Sequence, residues 1–225
     1  MPTPILVPIH PAPAIQLPDW MLPLTEYDAT YKGSFGNDLG NAGQGGIFSN
    51  TGRDVVYTNG GDDNFSTGGG DDKVTITPNQ IASYIDVGDG QDTVRVNARG
   101  GSHTIDLGDG ADHLYVTGGS VNNGAYVDVR AGDNDGLTWG HDIFDFSSTF
   151  TGDARVSELT RTTYDSHGKL TAQGDVFSLH GNWGGPVDIG SDLLFTNHDT
   201  GATVTVAGIG ETGAIHDLGH GMWGL

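Results

Sequence analysis

The chain has 225 residues, and its 29 acidic against 9 basic side chains give a net charge of −20, which rules against nucleic acid or an anionic membrane as partner and favours cations. Cysteine is absent, so neither a disulfide framework nor a thiolate metal site can form. The 38 glycines would signal low complexity if scattered, but they keep a period and therefore mark turns that need positive φ.

Residues 1–32 read as a proline-rich arm. Seven of the nine prolines fall within the first 23 positions, and Met1–Leu24 has neither the basic start nor the unbroken apolar stretch of a secretory signal. An extended, polyproline-like segment is expected there, docked through Trp20, Met21 and Leu22. No run is long enough to span a bilayer.

Gly40–Phe48 (GNAGQGGIF) is a worn first copy of a nine-residue unit, with Gly45 where an aspartate belongs. Three tandem copies follow: Ser49–Tyr57 (SNTGRDVVY), Thr58–Ser66 (TNGGDDNFS) and Thr67–Thr75 (TGGGDDKVT). Each has glycine fourth, aspartate sixth and an apolar residue eighth, so Asp54, Asp63 and Asp72 recur in phase. A unit this short cannot bury its own apolar residue and must stack on its copies, which predicts a solenoid.

Beyond residue 75 the spacing lengthens. Val87–Arg95 (VGDGQDTVR) and Leu107–Tyr115 (LGDGADHLY) place Asp92 and Asp112 twenty residues apart, and Asp92 is twenty beyond Asp72. Each later circuit therefore carries one acidic turn and one plain turn, at Pro78–Gln80, Arg99–Ser102 and Gly118–Gly124. Between the turns, period-two stretches predict half-buried strands, with Ile85, Val87, Val94, Val96, Ile105, Leu107, Leu114, Val127 and Val129 inward and Asp86, Asp106 and Asp128 outward. The last copy, Gly140-His141-Asp142 with Phe144 at the apolar place, follows an insertion containing Asp133 and Asp135. Those two carboxylates could hold a further ion, although alanine at position 131 removes the first ligand of an EF-hand loop.

The expected fold is all-β: a parallel β-roll or β-helix solenoid over residues 33–148, with a β-rich C-terminal cap over 149–225. Within the cap, Leu193–Thr196 and Ala202–Val206 flank Asn197–Gly201, a hairpin signal. The final Met222-Trp223-Gly224-Leu225 is expected to be exposed or loosely packed.

A turn with glycines at its second and fourth places can aim several carbonyls into one hollow, and the aspartate two residues on adds a carboxylate. Stacking a second turn completes an all-oxygen cage, the preference of Ca²⁺, without the imidazole or thiolate that would favour zinc or copper. The predicted ligand set is Gly52, Asp54, Asn59, Gly61, Asp63, Gly68, Gly70, Asp72, Gly88, Asp89, Gly90, Asp92, Gly108, Asp109, Gly110, Asp112, Gly140 and Asp142, with Asp133 and Asp135 as a further pair. Stacked at about 4.8 Å, the aspartates repel one another, and a metal-free stack should be unstable.

Blocks such as TGGGDDKVT and VGDGQDTVR resemble the G-G-x-G-x-D-x-U-x nonapeptide of the repeats-in-toxin (RTX) family, over about residues 40–145. That resemblance implies a parallel β-roll that folds on Ca²⁺ outside the cell, after export through the type I secretion machinery on an uncleaved C-terminal signal. It further implies that alternate blocks lie on opposite sides. One side would stack Asp54, Asp72, Asp92, Asp112 and Asp142; the other would set Asp63 against the Gly45 turn. About three to five Ca²⁺ ions are then expected.

His216-Asp217-Leu218-Gly219-His220 resembles the H-E-x-x-H zinc-protease helix, but Asp217 is shorter than glutamate and two glycines lie nearby. No catalytic role is therefore expected of His216 and His220. The expected function is a secreted calcium-binding module, structural or binding, with a polysaccharide or cell surface as partner. The alternative is the repeat-and-secretion portion of an exported enzyme such as a protease, lipase or polysaccharide epimerase.

Overall fold

The computed structural model describes residues 29–32, 39–41, 52–58, 60–78, 80–99, 101–119, 125–132, 141–164, 166–167, 170–172, 174–210 and 215–225. Among these residues the chain is all-β, and no helix is long and apolar enough to cross a membrane. The strands are, in chain order, β1 (Ala29–Lys32), β2 (Leu39–Asn41), β3 (Asp54–Tyr57), β4 (Gly61–Ser66), β5 (Lys73–Ile76), β6 (Gln80–Asp86) and β7 (Thr93–Asn97). Then come β8 (Ser102–Asp106), β9 (His113–Thr117), β10 (Tyr126–Arg130), β11 (Ile143–Phe146), β12 (Asp153–Ser157), β13 (Thr163–Tyr164) and β14 (Leu170–Ala172). The remainder are β15 (Val176–Leu179), β16 (Val187–Asp188), β17 (Leu193–Thr196), β18 (Thr203–Val206), β19 (His216–Gly219) and β20 (Met222–Gly224).

From β1 to β12 the strands fall alternately into two sheets. The first has the order β1-β3-β5-β7-β9-β11-β15-β20-β19 and the second β16-β17-β18-β12-β10-β8-β6-β4-β2. Strands β1 to β15 of the first sheet pair in parallel, as do β2 to β12 and β12 with β18 in the second. Registers such as Val74↔Val94↔Leu114↔Phe144↔Phe177 keep inward residues in columns. All five are buried, as are Phe65, Ile85, Ile105, Val129, Val156 and Val206 in the facing sheet.

The inward column grows from valine to phenylalanine toward the C-terminal end, where the Phe144 and Phe177 rings stack with centroids 5.0 Å apart. Full burial of one such ring is worth roughly 1.5–3 kcal/mol. Outward positions alternate with these and carry Asp86, Asp106 and Asp128, half-buried, as alternation requires.

Two expectations change. The parallel stack does not stop at Ser148, because β12 joins β10 and β15 joins β11. The last four residues are not loose: β20 pairs with β15, Leu225 is buried, its N–H donates to the Asp175 carbonyl, and its own carbonyl accepts the Thr162 N–H. The reason is that β15 would otherwise be an open edge, and β20 covers it. The β17–β18 hairpin forms as the sequence indicates. Of the expected arm over residues 1–32, Ala29–Lys32 form β1 and pair in parallel with β3, and residues 1–28 lie outside the described residues.

Candidate metal centre

One residue before β5, β7, β9, β11 and β15 of the first sheet, and at the first position of β3, an aspartate points inward. Asp54, Asp72, Asp92, Asp112 and Asp142, five of the six aspartates at the sixth place of the repeat, share one column, and Asp175 extends it. Each backbone N–H donates to the next carboxylate's Oδ1: Asp54 to Asp72 at 2.7 Å, Asp72 to Asp92 at 2.6 Å, and Asp92 to Asp112, Asp112 to Asp142 and Asp142 to Asp175 at 2.8 Å. All six residues are at most 2% exposed. Charged acceptors of this kind form the stronger class of hydrogen bond, and here they fix the register of neighbouring turns.

One oxygen per carboxylate takes that amide. The other, Oδ2 of Asp72 and of Asp92, is buried and makes no hydrogen bond. Burial pushes the Asp72 carboxyl up to about 6, against the Thr67 hydroxyl and the Asp54 amide, which favour its charge. Burial pushes Asp92 further, to about 9; the Asp72 amide opposes the rise, while the carboxylates of Asp112 and Asp72 add to it.

The glycines complete the surroundings. Gly68, Gly88 and Gly108 have φ of 96°, 83° and 76°, and a Cβ on Gly88 would meet the Gly68 carbonyl oxygen at 1.7 Å. A Cβ on Gly90 would lie 1.9 Å from the Gly70 carbonyl oxygen and 3.1 Å from Asp92 Oδ1; on Gly110, 1.6 Å from the Gly90 carbonyl oxygen and 3.4 Å from Asp112 Oδ1. Carbonyl and carboxylate oxygens of successive turns therefore converge on the space a side chain would fill. The donor set is oxygen only, which fits Ca²⁺ and gives no footing to softer metals. No group of three or more His, Cys, Asp or Glu side chains placed for a metal occurs among the described residues; each gap of the ladder has two carboxylates, and backbone oxygens would supply the rest.

Asp63 stands apart in the second sheet, beside Ser83. Asp89 and Asp109 are in the turns, Asp89 exposed and Asp109 half-buried, and their backbones clamp neighbouring turns: Asp89 N–H donates to Gly68 O at 2.9 Å and Asp109 N–H to Gly88 O at 3.0 Å. Gly52 is buried and Gly61 opens β4. Asn59, Asp133, Asp135, Gly140 and the Gly45 turn lie outside the described residues.

Asp175 was not anticipated. Its only signal is that Asp175-Val176-Phe177 repeats the Asp142-Ile143-Phe144 pattern. It differs chemically from the others, because its Oδ2 accepts the Thr160 N–H at 2.8 Å, so amides occupy both oxygens and close the column.

His216 and His220 sit on β19 and its turn, His220 with φ of 58°, so the helical spacing of a zinc-protease motif is not present. No protein-family model, curated protein or solved structure matches the chain.

Proposed function

We propose that the protein is a secreted, calcium-dependent parallel β-roll in which Ca²⁺ ions lie between successive turns of the Asp54–Asp142 column. The observation that carries this reading is the buried, unbonded second oxygen of Asp72 and of Asp92 beside carbonyl-lined gaps that leave no room for a Cβ. Two neighbouring carboxylates and the carbonyls around them would hold each ion; the ion would supply the charge that keeps the carboxylates ionised. Four gaps separate Asp54, Asp72, Asp92, Asp112 and Asp142, within the expected three to five ions. The gap below Asp142 is closed by Asp175 without one.

If each site binds near 10⁻⁴ M, as extracellular calcium modules do, millimolar Ca²⁺ adds roughly 1.4 kcal/mol per site. Metal binding and folding are then one process. The chain would stay open at cytosolic calcium, pass through a type I exporter, and stack outside the cell, where it serves as a binding or structural module without catalysis of its own. The acidic composition and the repeat resemblance support that route.

The test is calcium stoichiometry by isothermal titration calorimetry on the full, chelator-stripped chain. About four ions are expected, and Asp92→Asn should remove two, because Asp92 borders two gaps. Unchanged stoichiometry in Asp92→Asn would refute the assignment.

A further inference from the structure

Among the described residues, an aspartate is followed directly by a glycine at Asp89–Gly90 and at Asp109–Gly110. Such a pair is prone to rearrange into isoaspartate, because glycine puts no side chain beside the amide nitrogen that attacks the carboxyl group. The fold keeps the hazard in place at residue 90. A Cβ there would lie 1.9 Å from the Gly70 carbonyl oxygen, so no shielding side chain can stand at that position while the turns are stacked. The Asp89 side chain is exposed.

The rearrangement begins when the Gly90 nitrogen bonds to Cγ of Asp89. The amide proton and the carboxyl hydroxyl leave together as water, and a succinimide ring closes. Water then adds at either ring carbonyl and cleaves that C–N bond: one cleavage restores aspartate, and the other leaves isoaspartate, whose main chain runs through Cβ and Cγ. The water lost is regained, and no oxidant or further reactant takes part.

In the stacked roll the peptide link between Asp89 and Gly90 is held from both sides. Its carbonyl accepts the Gly70 N–H at 2.8 Å, and its N–H donates to the Asp109 carbonyl at 2.8 Å. Turning that peptide so that its nitrogen meets Cγ breaks both bonds, which requires the stack to open locally. The product does not fit back. A Cβ on Gly110 would lie 1.6 Å from the Gly90 carbonyl oxygen, so the turn is packed against both neighbours without space for another main-chain methylene.

We propose that Asp89–Gly90 is a site of spontaneous isoaspartate formation that calcium-driven stacking suppresses, and that the rearranged turn no longer closes the gaps on either side of Asp92. This chemistry rests on the calcium-dependent stacking proposed above. It makes unstacking in part irreversible, because a chain left without calcium loses the turn it needs to fold.

The test incubates the full chain at physiological temperature and pH, in millimolar Ca²⁺ and in excess chelator. Isoaspartate at residue 89 is measured by liquid chromatography and mass spectrometry of digests, and circular dichroism records whether each sample is stacked. In chelator it should accumulate at a rate like that of the free peptide VGDGQDTVR, Val87–Arg95. In calcium it should form at least about tenfold more slowly, because only opened molecules react. Gly90→Ala in chelator should slow it several-fold, since a methyl group then shields the nitrogen. When calcium is returned, size-exclusion chromatography should find the isoaspartate-bearing chains in the expanded fraction. No isoaspartate in chelator, equal rates in both samples with stacking seen only in calcium, no slowing in Gly90→Ala, or isoaspartate-bearing chains in the compact fraction would each overturn the inference. A strand spectrum already present in chelator would instead overturn the calcium-dependent roll, and the dichroism tells the two failures apart.

Discussion

The same position of the repeat, two residues before the apolar eighth place, is filled differently in the two sheets. In the first it reads Asp54, Asp72, Asp92, Asp112, Asp142 and Asp175; in the second, Asp63, Ser83, His103, Val127, Ala154 and Val204. Both columns are buried and both stack in parallel. The second shows that the stack needs no carboxylate there: a hydrogen-bonded Ser83–His103 pair, with Oγ 3.0 Å from Nδ1, serves in two turns, and aliphatic side chains serve in the next three. An unbroken column of six buried aspartates therefore has a purpose other than packing.

The largest test of that contrast is to remove the polar side chains from each column. Asp92→Ala should raise the calcium needed for folding at least about tenfold, since two sites lose a ligand. The double variant Ser83→Ala with His103→Val removes both halves of its hydrogen bond together and should change stability by no more than about 1 kcal/mol. Calcium titrations followed by far-UV circular dichroism check both.

Glycine substitutions come next. Gly90→Ala drives a Cβ into the Gly70 carbonyl oxygen at 1.9 Å and should cost roughly 2–4 kcal/mol. Gly201→Ala, with φ of 73° but nothing within 4 Å, should cost about 1–2 kcal/mol. Urea unfolding in calcium reads the difference.

The pH dependence has opposite signs in the two columns. Without calcium, Asp72 and Asp92 are raised from 3.8 to about 6 and about 9. Their contribution is therefore full below about pH 4 and is lost as the pH rises through those two values. His103 is lowered by burial from 6.5 to about 4, so its contribution is full above pH 6.5 and is lost as the pH falls toward 4. Asp72 and Asp92 should therefore make the metal-free wild type less stable as the pH rises from about 4 to about 9, and calcium binding at pH 7 should release protons. Calorimetry in buffers of different ionisation enthalpy measures that release, and its absence would contradict the ladder's electrostatics.

The smallest effect on calcium binding is expected at Asp175. Both of its oxygens accept amides, so Asp175→Asn should cost about 1–3 kcal/mol while calcium stoichiometry stays unchanged.

The ladder was legible where glycine, aspartate and an apolar residue keep phase, and the inward strands where period-two alternation is clean. Asp175 was hidden because the long connection after β12 breaks the phase, leaving only a three-residue echo. Ser83 and His103 were hidden because their turns lack the glycine-aspartate signature; only strand register shows that they occupy the aspartate position. Met222–Leu225 carries no periodicity that could foretell pairing with β15.

The most direct measurement is thermal unfolding of the full chain, by far-UV circular dichroism, in excess chelator and in millimolar Ca²⁺. A strand spectrum and a cooperative transition only with calcium are the predicted result. An equally ordered, equally heat-resistant protein in chelator would contradict the account, because the buried carboxylates would then be held by the protein alone.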